Sequence, residues 1–66
     1  MKPSIGYNLR LLRFQKNVTQ SKVAEVIGIS KNTLSRYENN ERIPNEELLN
    51  KFADFYEVPV TKIKAE

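Results

Sequence analysis

Between Thr19 and Pro44 the chain reads TQSKVAEVIGISKNTLSRYENNERIP, and two short amphipathic helix patterns meet there at Gly28-Ile29. Gly28 supplies the positive φ that closes the first helix, Ile29 turns into the core, and Ser30 caps the second. A turn of only a few residues forces the two helices to cross steeply and leaves the second one projecting. Every other element has to be built around that pair.

The rest of the pattern is helical throughout. Ile5, Leu9 and Leu12 fall on one stripe of a helix over 5–16, and Asn17 ends it in a left-handed conformation. Thr19 caps a second helix over about 20–27, with Val23, Ala24 and Ile27 inward. The third runs from Ser30 to Glu38 or Asn39, and Asn39-Asn40 marks a turn that leads to Ile43-Pro44 as an apolar anchor. Asn45 caps a fourth helix reaching about Tyr56, where Glu46 and Glu47 suit its positive end and Leu49, Phe52, Ala53 and Tyr56 face inward. Pro59 opens a short fifth helix carrying Val60 and Ile63. No repeat, low-complexity stretch or sustained alternation points to a sheet, so an all-α domain spanning 1–66 is expected, with its core over about 5–63.

A chain of 66 residues has room for one modest core. It has neither Cys nor His, which excludes disulfides and the commonest metal ligands and makes self-association the expected support for a small core. No metal, cofactor or small-molecule ligand is expected. Residues 1–14 are too polar and too periodic for a signal peptide, and no long apolar run appears, so a soluble cytoplasmic protein without a membrane association is the expectation. The formal charge of +3 is unevenly spread: residues 1–24 hold Lys2, Arg10, Arg13, Lys16 and Lys22 and no acid. One end of the molecule suits a polyanion.

Helix three gives that polyanion an identity. Leu34, Tyr37 and Glu38 group on one side, while Asn32, Ser35, Arg36 and Asn39 group on the other and Lys31 sits at the N-terminal tip. A solvated face more often alternates Glu and Lys at i, i+4 spacing; this one has short amides and hydroxyls, one Arg and no acid. Such groups read base edges, Arg or Lys at guanine and Asn at adenine. An enzyme is disfavoured, since there is no His or Cys, no Gly-rich phosphate loop and no carboxylate pair where a pocket is expected.

Ile5-Gly6, Asn8-Leu9-Arg10, Leu12-Arg13, Thr19-Gln20, Val23-Ala24-Glu25, Gly28-Ile29-Ser30, Leu34-Ser35-Arg36-Tyr37-Glu38-Asn39 and Ile43-Pro44 together closely resemble the lambda-repressor-like (Cro/cI, Xre-type) helix-turn-helix family. The resemblance runs from about Ile5 to Ile63. It implies a compact five-helix DNA-binding domain, with the helix-turn-helix at helices two and three, that binds double-stranded operator DNA as a homodimer with helix three in the major groove. Carried over by position, it implies base contacts from Lys31, Asn32, Thr33, Ser35 and Arg36. Phosphate contacts would come from Gln20, whose N–H and side chain sit at a helix N-terminus, and from Ser21, Asn39, Arg42 and Arg10. Arg13 and Glu38 resemble the family's buried ion pair, a structural link from helix one to the end of helix three. The family usually has Gly where Asn40 and Glu57 stand. Asn tolerates the left-handed region, whereas Glu57 points to a different end for helix four.

Some apolar surface is left over. Leu48 and Phe55 flank the inner stripe of helix four, and with Val60 they are the expected dimer interface. Tyr7, Leu11 and Phe14 group opposite the core stripe of helix one, where two readings stand: a second protein-contact surface, or scattered exposed apolar groups. The function expected is a sequence-specific transcriptional regulator, most simply a repressor at a palindromic operator. The alternative is an antitoxin-like or other protein-binding module, with an additional protein partner and secondary DNA binding.

Overall fold

A computed structural model describes residues 4–64. Five helices follow one another as α1 (Ile5–Lys16), α2 (Gln20–Ile27), α3 (Lys31–Glu38), α4 (Glu46–Tyr56) and α5 (Val60–Lys64), and no strand occurs among the described residues. Four begin on a residue with extended backbone whose side chain accepts an N–H three residues on: Ser4 from Tyr7, Thr19 from Lys22, Ser30 from Thr33 and Asn45 from Leu48. Each cap satisfies an N–H that the helix leaves without an internal partner. The expected helix boundaries therefore coincide with local hydrogen bonds.

The ends are closed by left-handed residues. Asn17 at φ 61° and Gly28 at φ 90° end α1 and α2. Glu57, expected to end α4 differently, takes φ 58° and closes it in the same way, its N–H bonding the carbonyls of Ala53 and Asp54. Val58 N–H adds a bond to Ala53 O at 3.0 Å, so these bonds offset the strain of about 1–2 kcal/mol that a side chain meets in that region. Asn40 is left-handed as well, at φ 63°.

The core is continuous. Leu9, Val23, Leu34, Phe52 and Ile63 are completely buried, and Leu12, Ala24, Ile27, Tyr37, Leu49, Ala53 and Tyr56 surround them. Phe52 is central, edge-on to Tyr37 at 6.4 Å and stacked with Tyr56 at 6.5 Å. α1 packs against α3, α4 and α5, while α2 packs against α3 and α4. The fifth helix is secured by a residue to which the sequence assigned no role, because the buried Asn8 Nδ2 donates to Ile63 O at 2.7 Å. Asn8 thereby satisfies a carbonyl at the end of α5.

Ile43 departs from the expected anchor. It is 77 % exposed, and its neighbour Pro44 is the buried member of the pair. The turn before it is held by polar bonds instead: Glu41 N–H reaches Arg36 O at 2.8 Å, and Asn40 Oδ1 accepts Gly6 N–H at 3.1 Å while its Nδ2 donates to Ser4 Oγ at 3.0 Å. The end of α3 is thus clamped to the start of α1.

That clamp requires Gly6. A Cβ there would lie 2.5 Å from Tyr37 O, 2.7 Å from Glu38 O and 2.8 Å from Asn40 Oδ1, two of them backbone atoms with little room to move. Gly6→Ala is expected to lower unfolding stability by about 1–3 kcal/mol in urea titrations. An unchanged midpoint would mean that α1 and α3 do not approach this closely.

Candidate nucleic-acid interface

The inner face of α3 decides what its outer face can present. Leu34, Tyr37 and Glu38 are buried, which turns Lys31, Asn32 and Arg36 into solvent. Glu38 is only 2 % exposed and is compensated by three donors: Arg13 Nε to Oε2 at 2.8 Å, Arg13 Nη2 to Oε1 at 3.1 Å and Gln20 Nε2 to Oε1 at 3.0 Å. A carboxylate this buried is tolerated only when paired and hydrogen-bonded. One side chain of α3 is held by α1 and α2 together.

Gln20 therefore turns its amide inward onto Glu38, whereas the sequence suggested an outward-facing group. Its backbone faces the other way chemically, because first-turn N–H groups such as those of Gln20 and Ser21 have no acceptor within the helix. They border an open groove of about 650 Å³ between α1, α2 and α3, whose walls include Arg13, Thr19, Gln20, Ser21, Lys31 and Phe14. Lys31 and the positive end of α2 meet at this groove, an arrangement that favours an anion, while the Arg13 charge is taken up by Glu38.

The other named residues sort by how free their polar groups are. Lys31, Asn32 and Arg36 are exposed, as are Ser21, Asn39, Arg42 and Arg10. Thr33 and Ser35 are half-buried and already engaged: Thr33 Oγ1 shares a 2.8 Å hydrogen bond with Ser30 Oγ, and Ser35 Oγ accepts from Asn39 Nδ2 at 3.4 Å. The Ser30-to-Thr33 spacing is the sequence signal that could have shown Thr33 to be part of the cap. Arg10 stands apart from the groove, on the outer side of α1 beside Tyr7, Leu11 and Phe14. Leu48, Phe55 and Val60 are half-buried and packed against the core rather than being the most exposed apolar groups. The Phe55 ring meets Tyr56 edge-on at 5.0 Å, and Lys16 Nζ lies 5.3 Å from its centre.

A helix-turn-helix family model matches residues 9–63, which includes α2, the Gly28 turn, α3 and the Arg13–Glu38 pair. The chain belongs to the helix-turn-helix family, in its lambda-repressor-like, Xre-type branch. It is a family of DNA-binding transcription regulators rather than enzymes. The chain is 38 % identical over 55 residues to the cryptic phage CTXphi transcriptional repressor RstR of Vibrio cholerae, covering 83 % of this chain and 50 % of that protein. It is 37 % identical over 62 residues to the antitoxin PezA of Streptococcus pneumoniae, covering 94 % of this chain and 39 % of that one. The chain thus spans half or less of the length of these curated relatives.

The fold likeness to solved helix-turn-helix structures is close. The P22 c2 repressor in complex with a synthetic operator superposes with a TM-score of 0.90 at 21 % identity, over 96 % of both chains. A transcriptional regulator from Listeria innocua gives 0.89 at 18 % identity, over all of this chain and 62 % of that one. No helix among the described residues is long and apolar enough to cross a membrane.

Two outcomes test the buried network. Glu38→Ala is expected to cost about 3–5 kcal/mol, leaving a domain this small largely unfolded, and pairing Arg13→Met with Glu38→Met should recover most of the loss. Thermal unfolding of the single and double variants separates this from a surface pair, for which all would lie near wild type. Tyr56 supplies the second outcome. Its buried hydroxyl has no hydrogen-bond partner among the described residues, and its pKa is pushed up from 10.0 by burial first and by the charge of Glu38 second, with Arg13 opposing. The folded protein holds the neutral phenol while the unfolded chain releases its proton, so this contribution is complete below pH 10.0 and is lost as pH rises beyond it. Tyr56→Phe should match or exceed wild-type stability at neutral pH and lose less of it above that value, as read by unfolding at a series of alkaline pH values.

Proposed function

We propose that the chain is a sequence-specific repressor that occupies a palindromic operator as a homodimer, with α3 in the major groove. The observation that carries this reading is the acid-free, exposed set of Lys31, Asn32 and Arg36, set beside the cationic groove at the start of α2. In this reading Lys31, Asn32 and Arg36 contact bases. Thr33 and Ser35 act at the margin, since their hydroxyls are already bonded within the helix and its cap. The N–H groups of Gln20 and Ser21 take one phosphate, with Lys31 beside them, while Asn39 and Arg42 take another from the turn after α3 and Arg10 adds charge from α1. The Gln20 amide then acts by fixing the end of α2 against Glu38.

A domain measuring 27 × 24 × 23 Å is narrow enough for two copies to sit on one face of the duplex. Their α3 helices would then enter successive major grooves about 34 Å apart. Leu48, Phe55 and Val60 remain the proposed dimer contact, their partial burial leaving apolar surface along α4 and at the start of α5. In this reading the protein works in the cytoplasm. The likeness to an antitoxin, together with the exposed stripe of Tyr7, Leu11 and Phe14, supports a second reading in which the same DNA-binding domain also takes a protein partner.

Selection of bound duplexes from a random pool tests the first reading: a two-fold symmetric consensus is expected, and absence of enrichment would overturn it. On the selected operator, Arg36→Ala should lose about 1–3 kcal/mol of discrimination at one position of each half-site. Arg42→Ala should weaken operator and random DNA alike and flatten the salt dependence. Equal losses on operator and random DNA for Arg36→Ala would remove it from the base-reading set.

A further inference from the structure

The outer face of α1 carries an apolar stripe that the DNA reading does not use, beside an Arg10 that it does. Tyr7, Leu11 and Phe14 recur at i, i+4 and i+7, are 43 %, 40 % and 60 % exposed, and form with Arg10 the walls of a cavity of about 260 Å³. Its charge has one sign. Arg10 is exposed and is the charged residue of its walls, and residues 1–24 contain no acid.

We propose that this face docks an acidic amphipathic helix of another protein, which inserts an apolar side chain between Tyr7, Leu11 and Phe14 and sets a carboxylate against Arg10. An apolar stripe two turns long is what a helix lying across α1 engages, and the exposed Arg10 beside it selects a partner with an acidic flank. A second copy of the chain fits poorly, because a two-fold contact through this stripe sets each Arg10 near the other's positive charge. Single-stranded nucleic acid also fits poorly, since the central position is the aliphatic Leu11, which offers bases no ring to stack on. The proposal rests on the second reading above, which takes a protein partner and draws on the same stripe.

The test uses the whole chain and fluorescent helical peptides in anisotropy titrations. One peptide carries a Leu stripe flanked by Glu, a second has Lys at every Glu position, and an oligo-dT strand is titrated alongside. The acidic peptide is expected to bind saturably, the basic peptide and oligo-dT at least about tenfold more weakly, and Leu11→Glu to weaken the acidic peptide by about tenfold or more. Duplex DNA binding by Leu11→Ser, which puts no charge beside Arg10, should stay at the wild-type level, so that failure of this docking and failure of the operator reading give different results. Leu11→Ser also replaces Leu11→Glu in the peptide titrations if circular dichroism shows the latter unfolded. Phe14 is left unchanged because it also walls the groove at α2. The proposal is overturned if the acidic peptide does not bind, if the basic peptide or oligo-dT binds as well, if neither Leu11 variant has an effect, or if sedimentation shows that the Leu11 variants abolish a dimer of the chain itself.

Discussion

Three donors on one buried carboxylate hold the orientation of α3. Glu38 is fixed by Arg13 from α1 and by Gln20 from α2, so the three helices share one point at the end of α3. In a core built from short helices, Leu34 and Tyr37 alone would specify that α3 is buried on one side but would say less about its rotation. The forked Arg–carboxylate geometry is directional and supplies that rotation. With Glu38 inward, the opposite face of Lys31, Asn32 and Arg36 has one orientation relative to the groove at α2.

The turn that follows α3 completes this arrangement with polar groups rather than apolar ones. Asn40 reaches back to Gly6 and Ser4, and the Arg36 carbonyl takes the Glu41 N–H. Pro44 returns the chain to the core while Ile43 stays in solvent. The helix is held at its start by the Ser30 cap, along its inner face by Leu34 and Tyr37, and at its end by Glu38 and the clamp.

Most of the architecture could be read from the sequence because its signals are local. Thr19, Ser30 and Asn45 mark helix starts through bonds spanning three residues, Asn17 and Gly28 mark ends, and the 3.6-residue period separates inner from outer faces. What escaped depends on residues far apart in the chain. The Asn8 amide finds Ile63 O across 55 positions, and Gly6 finds Asn40 across 34, so no window of sequence holds both partners. The Gln20 amide could satisfy either solvent or Glu38, and only the packed core decides between them. Ile43 and Pro44 are adjacent apolar residues, and which of them is buried is set by the path of the turn, not by hydropathy. Glu57 shows the opposite limit: its conformation is costly for the residue type, yet the Ala53 and Asp54 carbonyls at the end of α4 draw it there.

Phe14 stands in the wall of both the groove at α2 and the cavity on the outer face of α1. Occupants of the two places would therefore meet at this one side chain. Thermodynamic linkage then fixes a symmetry: whatever factor a ligand on α1 imposes on affinity at the groove, a ligand in the groove imposes on α1. In a domain this small two surfaces share a side chain, and Phe14 is the place at which any interdependence between them would be felt.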